Sequence, residues 1–133
     1  MKFLLDTNIC IFILKGIPKA TYAFQNALQN GIGISSLTLA ELEFGICNSS
    51  NEEKNRVTLM TFLPLIEVLP FESAAALEYG SICAKLRKQG KPIGIIDMLI
   101  AAHARSLGLV LVTNNTGEFS RIEQLLLEDW MAS

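Results

Sequence analysis

Four short apolar runs, each set apart by a stretch long enough for one or more helices, limit what this chain can become. They are residues 2–5 (KFLL), 31–35 (GIGIS), 65–69 (LIEVL) and 109–113 (LVLVT). Each is too short for a helix and too nearly continuous for a strand with one wet face. Buried strands alternating with helices predict a parallel sheet covered on both faces, a three-layer α/β/α arrangement.

The intervening stretches read as helices with recognisable ends. Residues 8–14 predict one or two turns, stopped by Gly16 and Pro18. Residues 19–29 have helical composition, with Tyr22, Phe24 and Leu28 on an approximate apolar side. Ser35 or Ser36 is placed to cap a helix through "LTLAELEFGIC". Residues 48–51 read as a loop, and 52–63 as a helix closed by Pro64. "ESAAALEYGSICAKLRKQ" predicts a long helix with Ser73 near its start and Gly90 at its end. "GKPIG" reads as a loop, 97–107 as a helix closed by Gly108, and "NNTGEF" as a polar turn. The tail adds a short strand or turn around Ile122, and residues 125–130 pack the end.

At 133 residues one domain, 1–133, is expected. No apolar stretch reaches the roughly 18 residues a membrane span needs. Asp6 and Asn8 interrupt the N-terminal apolar run, so it reads as mature structure rather than as a signal peptide. Cys10, Cys47 and Cys83 are odd in number and far apart, which argues against a disulfide framework or a zinc knuckle and fits a reducing cytoplasm. A net charge of −2 announces no nucleic-acid partner, so such a partner requires a local basic patch.

Asp6 stands at the carboxyl end of the first run, where ligands of such sheets bind. Asp97 opens the helix feeding the fourth run, Glu118 follows that run, and Glu41 lies about two turns into the helix after "GIGIS". Taken alone, Asp6 reads as a turn residue, Asp97 as a helix N-cap, and Glu41 as a solvated acid like Glu43. Together they form an acidic cluster. Two unit charges about 5 Å apart repel by roughly 3 kcal/mol at an effective dielectric of about 20. Either one acid is protonated or a cation is present. Oxygen ligands without His or Cys select Mg²⁺ or Mn²⁺ over zinc, and such an ion activates water against a phosphodiester.

"LLDTNICIF", "SSLTLAELEFG", "GKPIGIIDMLIAAHA" and "LVLVTNNTGEFSRI", in this order and spacing, resemble the PIN-domain ribonucleases. The match is closest to the VapC toxins of bacterial toxin–antitoxin pairs and spans essentially the whole chain. The resemblance implies a central parallel sheet of four or five strands with helices on both faces, and a Mg²⁺-dependent endoribonuclease, with Mn²⁺ as substitute. It implies a VapB-type antitoxin, a homodimer and an RNA substrate, with tRNA first and initiator tRNA cut in its anticodon region. By motif, Asp6, Glu41 and Asp97 match the acidic triad, and Glu118 a further acid of this branch. Asp6 and Asp97 are the metal ligands it implies. Asn115 stands where many PIN domains have aspartate, which favours one tightly bound ion over two. Glu41 is chosen over Glu43 by motif register, since residues two apart on a helix point about 200° from each other.

Around the acids, Thr7, Asn8, Thr113 and Asn115 are candidates for supporting hydrogen bonds, or else they make turns. His103 lies six residues beyond Asp97, about 240° around the helix, and reads as structural or surface. Water activation then falls to the ion and a carboxylate, with Glu41 and Glu118 both open. Lys85, Arg87, Lys88 and Lys91 are the candidate RNA contacts, extended by Arg105 and Arg121. They equally suit a helix C-terminus. Ile9, Ile11, Phe12, Ile13, Leu59, Met60 and Phe62 read either as core or as a groove for a partner helix.

Rival functions leave different marks. A phospho-acceptor domain needs a lysine after a late strand, and "TNNTGEF" has none. A D-x-D phosphatase meets Asn8 where its second aspartate belongs. A non-catalytic RNA-binding or decoy module predicts RNA binding that survives replacement of Asp6, without strand cleavage.

Overall fold

The computed structural model describes residues 1–132. Five strands, β1 (Phe3–Leu5), β2 (Ile32–Ser35), β3 (Glu67–Leu69), β4 (Val110–Val112) and β5 (Leu127–Glu128), form one parallel sheet in the order β3-β2-β1-β4-β5. Leu4 pairs with Gly33 on one side and Leu111 on the other, so β1 is the central strand. The helices are α1 (Thr7–Leu14), α2 (Pro18–Ala27), α3 (Ser36–Cys47), α4 (Glu52–Phe62), α5 (Ser73–Lys88), α6 (Ile95–Leu107) and α7 (Thr116–Phe119). Among the described residues no helix is long and apolar enough to cross a membrane.

The first, second and fourth apolar runs bury both faces, as their continuity predicts. Phe3, Leu5, Ile32, Ile34 and Val112 point to one side, where Ile9, Phe24, Leu59 and Phe62 meet them. Leu4 and Leu111 point to the other, against Ile82, Leu86, Ile100 and Phe119. The period-2 alternation of strand side chains sorts them. Gly33 marks a close approach. A Cβ there would stand 2.9 Å from both the Leu69 Cδ1 and the Met1 Sδ.

Several sequence expectations shift at their edges. The third strand is shorter than 65–69, because Pro64 draws Leu63–Leu65 into a 3-10 turn. It is also an edge strand, with Glu67 and Val68 exposed. Helix α6 begins at Ile95, with Gly94 as its cap, so Asp97 is its third residue rather than its N-cap. "NNTGEF" is not only a turn: its last four residues close into α7. Ile9, Leu59 and Phe62 are core, while Ile11, Phe12 and Ile13 are half-buried and Met60 is exposed.

The strand order places the functional edge. Connections from β1 run outward through β2 to β3, then return to β4 on its other side. The switch between β1 and β4 opens a crevice at their carboxyl ends.

Candidate active site

Asp6 leaves β1 at that crevice and caps α1. Its Oδ1 accepts the Ile9 N–H at 2.9 Å, and its own N–H donates to the Val112 carbonyl at 3.0 Å. The Thr113 hydroxyl, at the end of β4, hydrogen-bonds its carboxylate. Only 4% of Asp6 is exposed. Burial pushes its pKa above the ordinary carboxylate value; the bonds from Thr113 and Ile9 oppose this, and the charges of Asp97 and Glu41 add to it.

Glu41 comes from α3. Its Oε1 accepts the Thr7 hydroxyl at 2.5 Å, and Thr7 in turn lies 3.5 Å from the buried Thr38 hydroxyl. Thr7 thus holds Glu41, whereas the support of Asp6 comes from Thr113. Glu43, two residues on, turns outward and pairs with Arg56. Of the two glutamates, Glu41 lines the cleft with Asp6 and Asp97. Asn8 is exposed on the wall of the same cleft.

Asp97 sits in the first turn of α6. Its pKa is raised by burial, then by the charges of Glu118 and Glu41. Glu118, on α7, accepts the Asn115 amide N–H at 3.1 Å through Oε2, and the Asn115 backbone N–H donates to the Thr113 Oγ1 at 3.0 Å. The acids therefore influence one another in a row: Glu118 acts on Asp97, Asp97 and Glu41 act on Asp6, and Glu41 acts on Asp97 as well.

Asp6, Glu41 and Asp97 line one open cleft of about 740 Å³. Glu118 is not among the lining residues, but its charge reaches Asp97. The cleft walls are apolar in a way the sequence did not signal. Phe44 and Ile95, 70% and 65% exposed, face solvent at its mouth, with Ile96 beside them. Whether an isoleucine at a helix start is core or rim depends on what packs over it, which no local pattern records.

The donor set fits a hard divalent ion: carboxylate oxygens only, two of them held above their usual pKa by burial and mutual repulsion. Among the described residues no three Asp, Glu, His or Cys side chains are already grouped to hold an ion. Glu41 is bonded to Thr7 and Glu118 to Asn115. Such a site resembles the way Mg²⁺ is commonly held, by one or two carboxylates with several waters retained.

The expected basic patch divides. Lys85 pairs with Glu123 at 2.5 Å, and Arg105 with Glu78 at 2.7 Å. Arg121 donates to the Pro92 carbonyl at 3.4 Å. Among the described residues, the ion pairs leave Arg87, Lys88 and Lys91 without a carboxylate partner, at the end of α5 and in the loop leading to Asp97. His103 is buried and lies outside the cleft.

The PIN-domain family model matches residues 3–125. The chain is 47% identical over 130 residues to the tRNA(fMet)-specific endonuclease VapC of Shigella flexneri, covering 98% of each chain. Its fold is similar to that in the crystal structure of VapBC2 from Rickettsia felis bound to a DNA fragment from their promoter. There the TM-score is 0.93 at 38% identity, covering 98% of this chain and 99% of the other. It is also similar to DNA-bound VapBC from Salmonella typhimurium, with a TM-score of 0.92 at 42% identity and 98% of each chain covered. A parallel sheet whose switch point gathers Asp6, Glu41 and Asp97, matched nearly end to end by these relatives, places the chain: it belongs to the PIN-domain family, on its VapC branch.

Proposed function

We propose that this protein is a Mg²⁺-dependent endoribonuclease, the toxin of a VapBC pair, which cuts tRNA in the cytoplasm. Initiator tRNA, cleaved in its anticodon region, is the first substrate to try, because a relative at 47% identity is named a tRNA(fMet)-specific endonuclease. A VapB-type antitoxin is its partner, because the similar solved structures are of VapBC. The family resemblance extends the proposal to a homodimer. The observation that carries the reading is the meeting of Asp6, Glu41 and Asp97 in one cleft.

In this reading Asp6 and Asp97 hold the ion. When bound, it lowers the pKa of water and offsets charge on the phosphodiester. Thr113 keeps the Asp6 carboxylate in place. Glu41 inside the cleft and Glu118 beside it are the two carboxylates placed to take a proton from the attacking water. Asn115 orients Glu118, and Thr7 orients Glu41. Arg87, Lys88 and Lys91 offset the repulsion between phosphates and the acidic centre.

Incubating the purified protein with total tRNA, with and without Mg²⁺ and EDTA, tests this. Cleavage should need the ion. Asp6→Asn and Asp97→Asn should each lower the rate at least about 100-fold, about 2.7 kcal/mol of barrier, with the fold intact by circular dichroism. Full activity of either variant in the presence of EDTA would refute the mechanism.

A further inference from the structure

Two fully buried polar residues, Ser35 and His103, lie outside the cleft and have no part in the chemistry above. Ser35 ends β2 and caps α3, the helix that carries Glu41; its Oγ accepts the Leu37 N–H at 3.1 Å. His103 belongs to α6, the helix that carries Asp97. The His103 Nδ1 lies 2.9 Å from the Ser35 Oγ. The ring also hydrogen-bonds the Pro70 carbonyl after β3, and Phe71 packs edge-on against it with centroids 5.4 Å apart. Among the described residues, this is the side-chain hydrogen bond that ties α6 to the start of α3.

We propose that His103 is a positioning residue: through Ser35 it fixes how α6 crosses the start of α3, and with it the spacing of Asp97 and Glu41. The inference rests on the reading of the cleft given above. Asp97 lies six residues from His103, and Glu41 six from Ser35. At 1.5 Å per residue each acid sits about 9 Å along its helix from the joint. A rotation of about 10° at the joint moves a group at that distance by roughly 1.5 Å. A misplacement of about 1 Å at a reacting centre costs on the order of 100-fold in rate. Apolar packing resists separation of two helices but is non-directional. A buried hydrogen bond has a required distance and angle, so it fixes the crossing.

Three substitutions separate positioning from packing. His103→Asn keeps an amide where Nδ1 stands, His103→Gln carries its amide one bond further out, and His103→Leu fills the space with no polar atom. For each folded variant three readouts matter: Mn²⁺ affinity by calorimetry without RNA, kcat and KM on tRNA, and the melting temperature. The leucine and glutamine variants should lose about tenfold in Mn²⁺ affinity and about 100-fold in kcat, with KM nearly unchanged. The asparagine variant should recover most of both. Ser35→Ala should reproduce the leucine loss and add little to it in the double variant, as expected of two members of one interaction. Wild-type Mn²⁺ affinity and kcat in His103→Leu, or an asparagine variant as impaired as the leucine one, overturns this inference alone. Wild-type protein that binds no Mn²⁺ and cuts no tRNA overturns the reading of the cleft, and this inference with it.

Discussion

The Asp6 carboxyl is buried, caps a helix and repels two neighbouring acids. Its folded-state pKa, like that of Asp97, is raised above the ordinary value of 3.8. For a raised carboxyl the protonated form favours the folded state. The associated stability is present at low pH and is lost as pH climbs from 3.8 through the raised value. At neutral pH the metal-free protein therefore carries a cost that Asp6→Asn removes, while the amide oxygen still caps α1. Asp6→Asn should melt higher than wild type at pH 7 without metal, and the gain should vanish toward pH 4. Mg²⁺ should raise the wild-type melting temperature more than that of the variant. A variant less stable than wild type at pH 7 would contradict the assignment of cost to that charge. His103 behaves in the opposite sense. Burial lowers its pKa below 6.5, so its contribution is whole above 6.5 and declines as pH falls below it. The Cys10 thiol, buried and close to the Asp6 charge, is pushed far up and stays protonated, so it is not a reactive group here.

At the scale of elements, two helices each bring one acid to the cleft, α3 carrying Glu41 and α6 carrying Asp97. Helix α6 is capped by Gly94 and by Gly108, whose φ of 67° suits a residue without a Cβ and turns the chain toward β4. Helix α5 ends in the cluster Lys85, Arg87 and Lys88, where the macrodipole favours cations whether or not RNA is bound. The two explanations separate by salt dependence. If Lys88 and Lys91 meet phosphates, replacing either with alanine should reduce the slope of log affinity against log salt by about 0.7–0.9 per contact. Lys85→Ala, already spoken for by Glu123, should change it less. Unchanged slopes in tRNA-binding titrations with the Asp6→Asn protein would assign the cluster to the helix end alone.

The whole molecule is one sheet with a core on each face, and the two cores share the same backbone. Leu4 faces one core; Trp130, packed edge-on against Phe3 at 5.6 Å, faces the other. Unfolding should therefore be a single transition. Leu4→Ala should destabilise by about 2–5 kcal/mol, and Trp130 fluorescence should follow the same melting curve as far-ultraviolet circular dichroism. Separate transitions would show that the faces unfold independently. Much of this was legible in the residues. Apolar continuity in "KFLL" and "LVLVT" requires strands covered on both sides, and the motif register singled out Glu41 from Glu43. The helical start at Ile95 and the one-turn helix at Thr116–Phe119 were not legible, because short segments take their conformation from what they close against. Nor was the exposure of Phe44 and Ile95, or the bond from His103 to Ser35, 68 residues away. The sequence by itself determined the alternation of strands and helices and which acids stand at strand ends or on the following helices, since periodicity and position are local properties. Only the tertiary structure decided which of those acids meet, which hydroxyls reach Asp6 and Glu41, and that His103 meets Ser35, since these depend on the order of strands in the sheet and the crossing of helices over it.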